Sequence, residues 1–243
     1  MAHRFFIEQK IQKGAIEIKN VKLAHQLSNV LRMERGEIIE LFNGDGFEHT
    51  ARIVLITKNT ITAAVFETRR NKRELSTSLI LCLALIKKER MEWAFEKCTE
   101  IGIRGFQPII TERSLAKNIS KERSLKIIRE SAEQSGRGMI PSYSAPLPLD
   151  EVMDACLRAR AVGIFFDSSY ESALSIAKLS ALIPRQQGTV YLFIGPEGGF
   201  TPNEVRRAEA RGIQAGRIYP TILRSETAAI ACSGIMAMLS TAL

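Results

Sequence analysis

The sequence predicts an α/β protein in which a small β-barrel precedes a larger domain built on a parallel sheet. Three observations carry this. Residues 1–72 hold short β-branched and aromatic runs separated by turn residues. Residues 73–243 alternate apolar strand-like runs with segments of helical period, as in sheets covered by crossover helices. A chain of 243 residues that is 45% hydrophobic and 25% charged has ordinary globular composition and enough length for one large domain or two modest ones, which excludes disordered, collagen-like and coiled-coil readings.

In order along the chain, strands are expected at Arg4–Ile7, Ile16–Ile18, Glu37–Phe42, Thr50–Ile56 and Thr60–Phe66. Asn43-Gly44-Asp45-Gly46 is a hairpin signal, because these residues tolerate positive φ. One helix interrupts the strands: Leu23, Leu27, Val30 and Leu31 fall on one face at helical spacing. Arg69-Arg70-Asn71-Lys72-Arg73-Glu74 reads as a charged linker. Beyond it come a strand at Leu79–Leu85, a helix at Glu89–Ile101, a strand at Gly105–Ile110 and a helix near Lys121–Ser135. Leu149, Val152, Met153 and Cys156 mark another amphipathic helix, and Ala161–Phe166 and Thr189–Ile194 read as buried parallel strands. Thr201-Pro202-Asn203-Glu204 is a capping box with proline at the first helical position. Gly216–Tyr219 reads as a short strand, and a last helix from about Ala228 to Leu243 is rich in Ala, Ser, Gly and Met, suiting close packing on another helix or a second subunit.

The net charge is +8, and its distribution is uneven. Residues 1–72 carry 12 basic and 8 acidic side chains, residues 73–137 carry 13 and 9, and the remainder carries 9 of each. A basic half joined to a neutral half suits a protein that meets a polyanion with one part and works with another. The four cysteines, Cys82, Cys98, Cys156 and Cys232, have no C-x-x-C spacing and no neighbouring histidine, so buried reduced thiols are expected and no metal. No apolar run approaches a membrane span and the first residues lack a signal-peptide h-region, so a cytoplasmic location is expected.

Elimination narrows the chemistry. The only histidines, His3, His25 and His49, lie in the β-rich part, which leaves the α/β part without a histidine base for a hydrolase triad. Neither a Walker phosphate loop nor an early G-x-G-x-x-G is present. Instead, Gly195-Pro196-Glu197-Gly198-Gly199-Phe200 leaves a parallel strand at the sheet edge where open α/β folds bind ligands. Arg224-Ser225-Glu226-Thr227 follows a second strand at the same edge and opens a helix. Two such loops make a pocket; read singly, each is also consistent with a tight turn or a helix start.

These two loops, Ile194–Phe200 and Ile222–Ala228, resemble the cofactor loops of the SPOUT (trefoil-knotted) RNA methyltransferases, specifically the RsmE family. The resemblance runs along the chain: Arg4-Phe5-Phe6 and His25–Arg32 are similar to that family's PUA-like N-terminal domain, and Lys87–Arg90, Lys97–Gly102 and Glu133–Arg137 to its α/β domain. It implies a PUA-like barrel over 1–72 and a knotted methyltransferase domain over 73–243. It also implies a cytoplasmic homodimer that uses S-adenosylmethionine (SAM) to methylate N3 of a uridine in the 16S ribosomal RNA of the small subunit. On this resemblance, Arg224, Glu226 and Arg137 are the catalytic candidates. Ile194, Gly195, Pro196, Glu197, Gly198, Gly199, Ile218, Pro220, Leu223 and Ser225 are the cofactor candidates, and Arg4, Arg32 and Arg35 are assigned to the RNA backbone. In one place the chain departs from the family, with Ile218-Tyr219-Pro220-Thr221 standing where Leu-Gly-x-Arg is usual. Two alternatives stand beside this reading: a non-catalytic ribosomal RNA-binding assembly factor on the same scaffold, and a methyltransferase of the same fold acting on another RNA.

Overall fold

The computed structural model describes residues 3–114, 119–167, 173–183, 188–218 and 221–241. They form two compact units, one of residues 1–74 with 132–140 and the other of 75–131 with 141–243.

In the first unit β1 (His3–Phe6), β2 (Gly14–Lys19), β3 (Ile38–Phe42), β4 (Phe47–Ile56) and β5 (Thr60–Arg70) form one sheet in the order β1-β3-β4-β5-β2. Alternating side chains of these strands close a core of Phe5, Ile16, Ile18, Ile39, Leu41, Ile53, Ile61 and Val65. The β3–β4 turn has positive φ at Gly44 and Gly46, and the Asn43 and Asp45 side chains accept hydrogen bonds from the amides two residues on.

The helix of this unit is not the continuous one that the spacing predicts. Asn20 caps a single α-helical turn, α1 (Val21–His25), and Gln26–Val30 widens into a π-helix. Leu23 and Leu27 are buried as expected, but the wider turn rotates Val30 outward, where it is 66% exposed. Arg32 follows with φ 52°, the left-handed conformation that ends the turn.

The expected charged linker is also built into this unit. β5 runs to Arg70, and the buried Asn71 donates from its side chain to Glu48 and to the Gly136 carbonyl. Glu74 binds the guanidinium of Arg137 at 2.8 Å. Polar side chains within reach of buried partners hold this segment in place of solvent.

The second unit contains β6 (Ser78–Leu83), α2 (Lys88–Ile101), β7 (Gly105–Phe106), β8 (Ile109–Ile110), α3 (Lys121–Gln134, its last turn in the first unit), β9 (Ser142–Tyr143), β10 (Leu147–Pro148), α4 (Leu149–Arg158) and β11 (Val162–Phe166). α5 (Ile176–Leu182), β12 (Thr189–Ile194), α6 (Pro202–Ala210), β13 (Gln214–Gly216) and α7 (Ser225–Thr241) complete it. The sheet is parallel throughout, in the order β13-β11-β12-β6-β7-β9. β6 and β12 are central and almost wholly buried, which explains their continuous apolar sequences. The strand expected over 105–110 is split at Gln107-Pro108, because proline cannot donate to the ladder.

The predicted capping box is present. The Thr201 side chain accepts from the Glu204 amide, and the Glu204 carboxylate accepts in turn from the Thr201 amide. The small residues of α7 let it lie against α2, β6 and β12, with Ala229, Cys232, Ser233 and Met236 buried. All four cysteines are buried free thiols. Burial pushes Cys98 and Cys232 up to about 12 and Cys156 up to about 11, so they stay protonated. No described helix is long and apolar enough to cross a membrane, and among the described residues no cluster has the make-up of a metal site.

Candidate active site

β11, β12 and β13 end side by side, and a cleft of about 260 Å³ opens beyond their carboxyl ends. Small-molecule sites occupy roughly 300–1,000 Å³, and this edge is where open parallel sheets bind ligands. One wall is the turn after β12. Gly199 takes φ 67° and its amide donates to the Pro196 carbonyl at 2.8 Å, which reverses the chain towards α6. Phe200 then packs back under the turn, edge-on to Phe165. A Cβ on Gly195 would lie 3.3 Å from the Phe200 ring, a tight contact that the ring would have to yield to, so glycine suits the close return of the chain there.

The opposite wall comes from Gly216 to Ile218 and from Thr221, Ile222, Leu223 and Ser225, where the chain enters α7. α7 starts three residues earlier than the sequence predicts, and Ser225 and Glu226 lie in its first turn. The first amides of a helix have no partner within it, so this wall offers donors to a ligand. Ile194, Phe166, Ile222 and Leu223 add apolar surface.

The structure therefore gathers Ile194, Gly195, Pro196, Glu197, Gly198, Gly199, Ile218, Leu223 and Ser225 around one cavity, although they come from two stretches of sequence. Pro220, with Tyr219, lies outside the described residues. Arg224 is exposed immediately before α7, and among the described residues its guanidinium has no partner; its carbonyl accepts from the Ala228 amide. The Glu226 side chain is 13% exposed, with Oε1 3.6 Å from Nε of Arg90 and Oε2 buried with no hydrogen bond among the described residues.

Two of the predicted site residues are used elsewhere. Arg137 is 3% exposed, does not line the cleft, and holds Glu74. Arg4, expected to contact RNA, has a side chain only 10% exposed. Its guanidinium donates to the carbonyls of Ala132, Glu133 and Arg137, lies 3.7 Å from Glu48 and stacks 3.6 Å above the Phe42 ring. A guanidinium with five donors and a planar face is suited to such an internal junction, and little of it is left for a phosphate. Arg32 and Arg35 are exposed, as RNA contacts require.

Sequence reasoning missed Arg90, Arg113, Asp167 and Arg217. Arg113 lines the cleft and donates to the Gly198 carbonyl at 2.6 Å, and its Cδ would lie 3.2 Å from a Cβ on Gly198. Arg90, in the first turn of α2, binds Glu197 at 2.7 Å and faces Glu226. Its signal was positional, since α2 follows β6 and starts at the same edge of the sheet.

Comparison with known proteins agrees with this geometry. Residues 73–237 match an RNA methyltransferase domain model and residues 27–66 an RNA methyltransferase PUA domain model. The chain is 32% identical over 242 residues to ribosomal RNA small subunit methyltransferase E of Bacillus subtilis, covering 93% of this chain and 92% of the relative. It is 32% identical to the protein of the same name from Synechocystis, covering 98% and 78%. Among solved structures, the ribosomal RNA small subunit methyltransferase E of Neisseria gonorrhoeae bound to S-adenosyl methionine superposes with a TM-score of 0.84 at 28% identity, covering 98% of each chain.

Proposed function

The chain belongs to the family of the ribosomal RNA small subunit methyltransferases E, and from that membership we propose that it is a SAM-dependent methyltransferase of 16S ribosomal RNA, acting on N3 of a uridine. The observation that carries the reading is the convergence of two separate stretches, Ile194–Gly199 and the residues Ile218, Thr221, Ile222, Leu223 and Ser225, on one cleft at the ends of parallel strands. The cleft fits the cofactor chemically. Its glycine turn exposes backbone groups at close approach, its apolar side chains suit a purine, and the start of α7 offers unpaired amides.

SAM supplies a methyl group activated on a sulfonium. What the protein must add is alignment, removal of the uracil N3 proton, and stabilisation of negative charge on the uracil oxygens. Arg224 is the candidate to stabilise that charge: it is exposed, it adjoins the cleft-lining Leu223 and Ser225, and among the described residues its guanidinium has no partner. Glu226, turned towards Arg90, orients an arginine. Arg137 and Arg4 are left out, because their guanidinium groups are bound inside the first unit.

Residues 1–72 serve RNA binding in this reading, through exposed Arg32 and Arg35, and residues 73–243 form the knotted catalytic domain of a homodimer. The small ribosomal subunit is the partner and the cytoplasm the location. The reading is tested by titrating SAM into the purified protein in a calorimeter and by following transfer of labelled methyl from SAM to small ribosomal subunits. Saturable binding and one methyl per subunit are expected; neither binding nor transfer would refute it.

A further inference from the structure

We propose that Arg90 is a positioning residue that sets the spacing of the two walls of the cofactor cleft. The inference rests on the cleft being the SAM site.

Arg90 lies in the first turn of α2, a helix anchored by buried Met91, Ala94, Phe95 and Cys98. From this fixed base its guanidinium reaches both walls at once. Nη1 binds Oε1 of Glu197, in the turn after β12, at 2.7 Å, and Nε lies 3.6 Å from Oε1 of Glu226, in the first turn of α7. Glu197 lines the cleft, and Glu226 adjoins Ser225, which also lines it. Any change in the separation of the two carboxylates is therefore a change in the width of the cleft.

The shape of the guanidinium matters. Its nitrogens are fixed in a plane and point in different directions, so one arginine spans two carboxylates, whereas an ammonium acts as a single compact charge. The buried Oε2 of Glu226 raises the stakes, because among the described residues no hydrogen bond offsets its burial. Without Arg90, two carboxylates would face each other across the cleft wall with no cation between them, and the mutual repulsion of two anions would drive the walls apart.

This mechanism predicts a rescue that simple loss of packing does not. Calorimetric titration of SAM is compared for wild type, R90A, R90K, E226Q and the double variant R90A/E226Q, with each melting temperature measured alongside. R90A is expected to raise Kd roughly tenfold or more, since a charge-assisted bond accounts for at least that ratio. R90K, which keeps the charge and loses the fork, is expected to fall between R90A and wild type. R90A/E226Q is expected to bind SAM more tightly than R90A, because glutamine removes the repulsion.

R90A or R90K binding as wild type does would overturn the proposal, and so would a double variant no tighter than R90A. Failure of wild type itself to bind SAM would instead refute the assignment of the cleft. Should R90A not fold, R90K and E226Q/R90K carry the same comparison.

Discussion

Glu48 in the first unit and Glu226 in the second are both mostly buried carboxylates paired with arginine, and they differ in what is left over. Glu48 is saturated: Arg69 at 3.0 Å, Arg73 at 3.3 Å, Arg4 at 3.7 Å and the Asn71 side chain at 2.8 Å all converge on it. Among the described residues Glu226 has only Arg90, beyond hydrogen-bond distance, and keeps a buried oxygen without a partner beside a cleft. A saturated buried cluster holds a fold together, whereas one removed partner leaves a costly uncompensated charge. An incompletely satisfied polar group beside a cavity is the pattern expected of a working site. The arginines divide in the same way, with Arg4 and Arg137 closed internally and Arg224 open among the described residues.

The comparison is most easily broken at Glu48. Glu48→Ala should destabilise the protein by about 3–5 kcal/mol in urea or thermal denaturation, the cost of breaking a buried charge cluster. A loss below about 1 kcal/mol, the range of exposed pairs, would show that the cluster is not the structural anchor described. Arg224→Ala should do the reverse. Methyl transfer should fall about 100-fold or more, as when a preorganised donor to developing charge is removed, while the melting temperature stays within about 2 °C. Near-normal turnover would return Arg224 to the surface.

Arg4 sharpens the division further. Arg4→Ala should cost about 2–3 kcal/mol, mainly through the carbonyls of Ala132, Glu133 and Arg137 that lose their donor, with the salt dependence of RNA binding unchanged. Arg32→Ala and Arg35→Ala should show the opposite signature, each lowering the slope of log affinity against log salt by about one and leaving stability within about 0.5 kcal/mol. An identical response of Arg4 and Arg32 would erase the distinction between closed and open arginines. The smallest effect is expected at the thiols. With Cys98 and Cys232 pushed up to about 12 by burial, native protein at pH 8 should not react with a thiol reagent until it unfolds; fast labelling would mean that the packing of α2 on α7 is loose.

Much of this was legible in the sequence because the signals were local. The apolar run of β12, the glycines at 195, 198 and 199, and the Thr201–Glu204 capping box are contiguous and each has a short-range physical cause. What the sequence did not disclose depended on distant partners. Nothing near Arg4 shows that three carbonyls at 132–137 await it, and nothing near Arg90 shows that Glu197 and Glu226 fold over it. Val30 was misplaced because a helical period assumes an α-helix, and a π-turn changes that period. Arg69–Glu74 looked like a linker because its charges are dense, although their partners, Glu48, Gly136 and Arg137, hold it within the first unit. The short helix α5 carries too little periodic pattern in seven residues to declare itself.

The most direct test of the central claim is mass spectrometry of nucleosides from small-subunit ribosomal RNA, prepared from cells with and without this gene. The account predicts that 3-methyluridine disappears without the gene, returns with the wild-type protein and does not return with Arg224→Ala. Unchanged 3-methyluridine in the absence of the gene would contradict it.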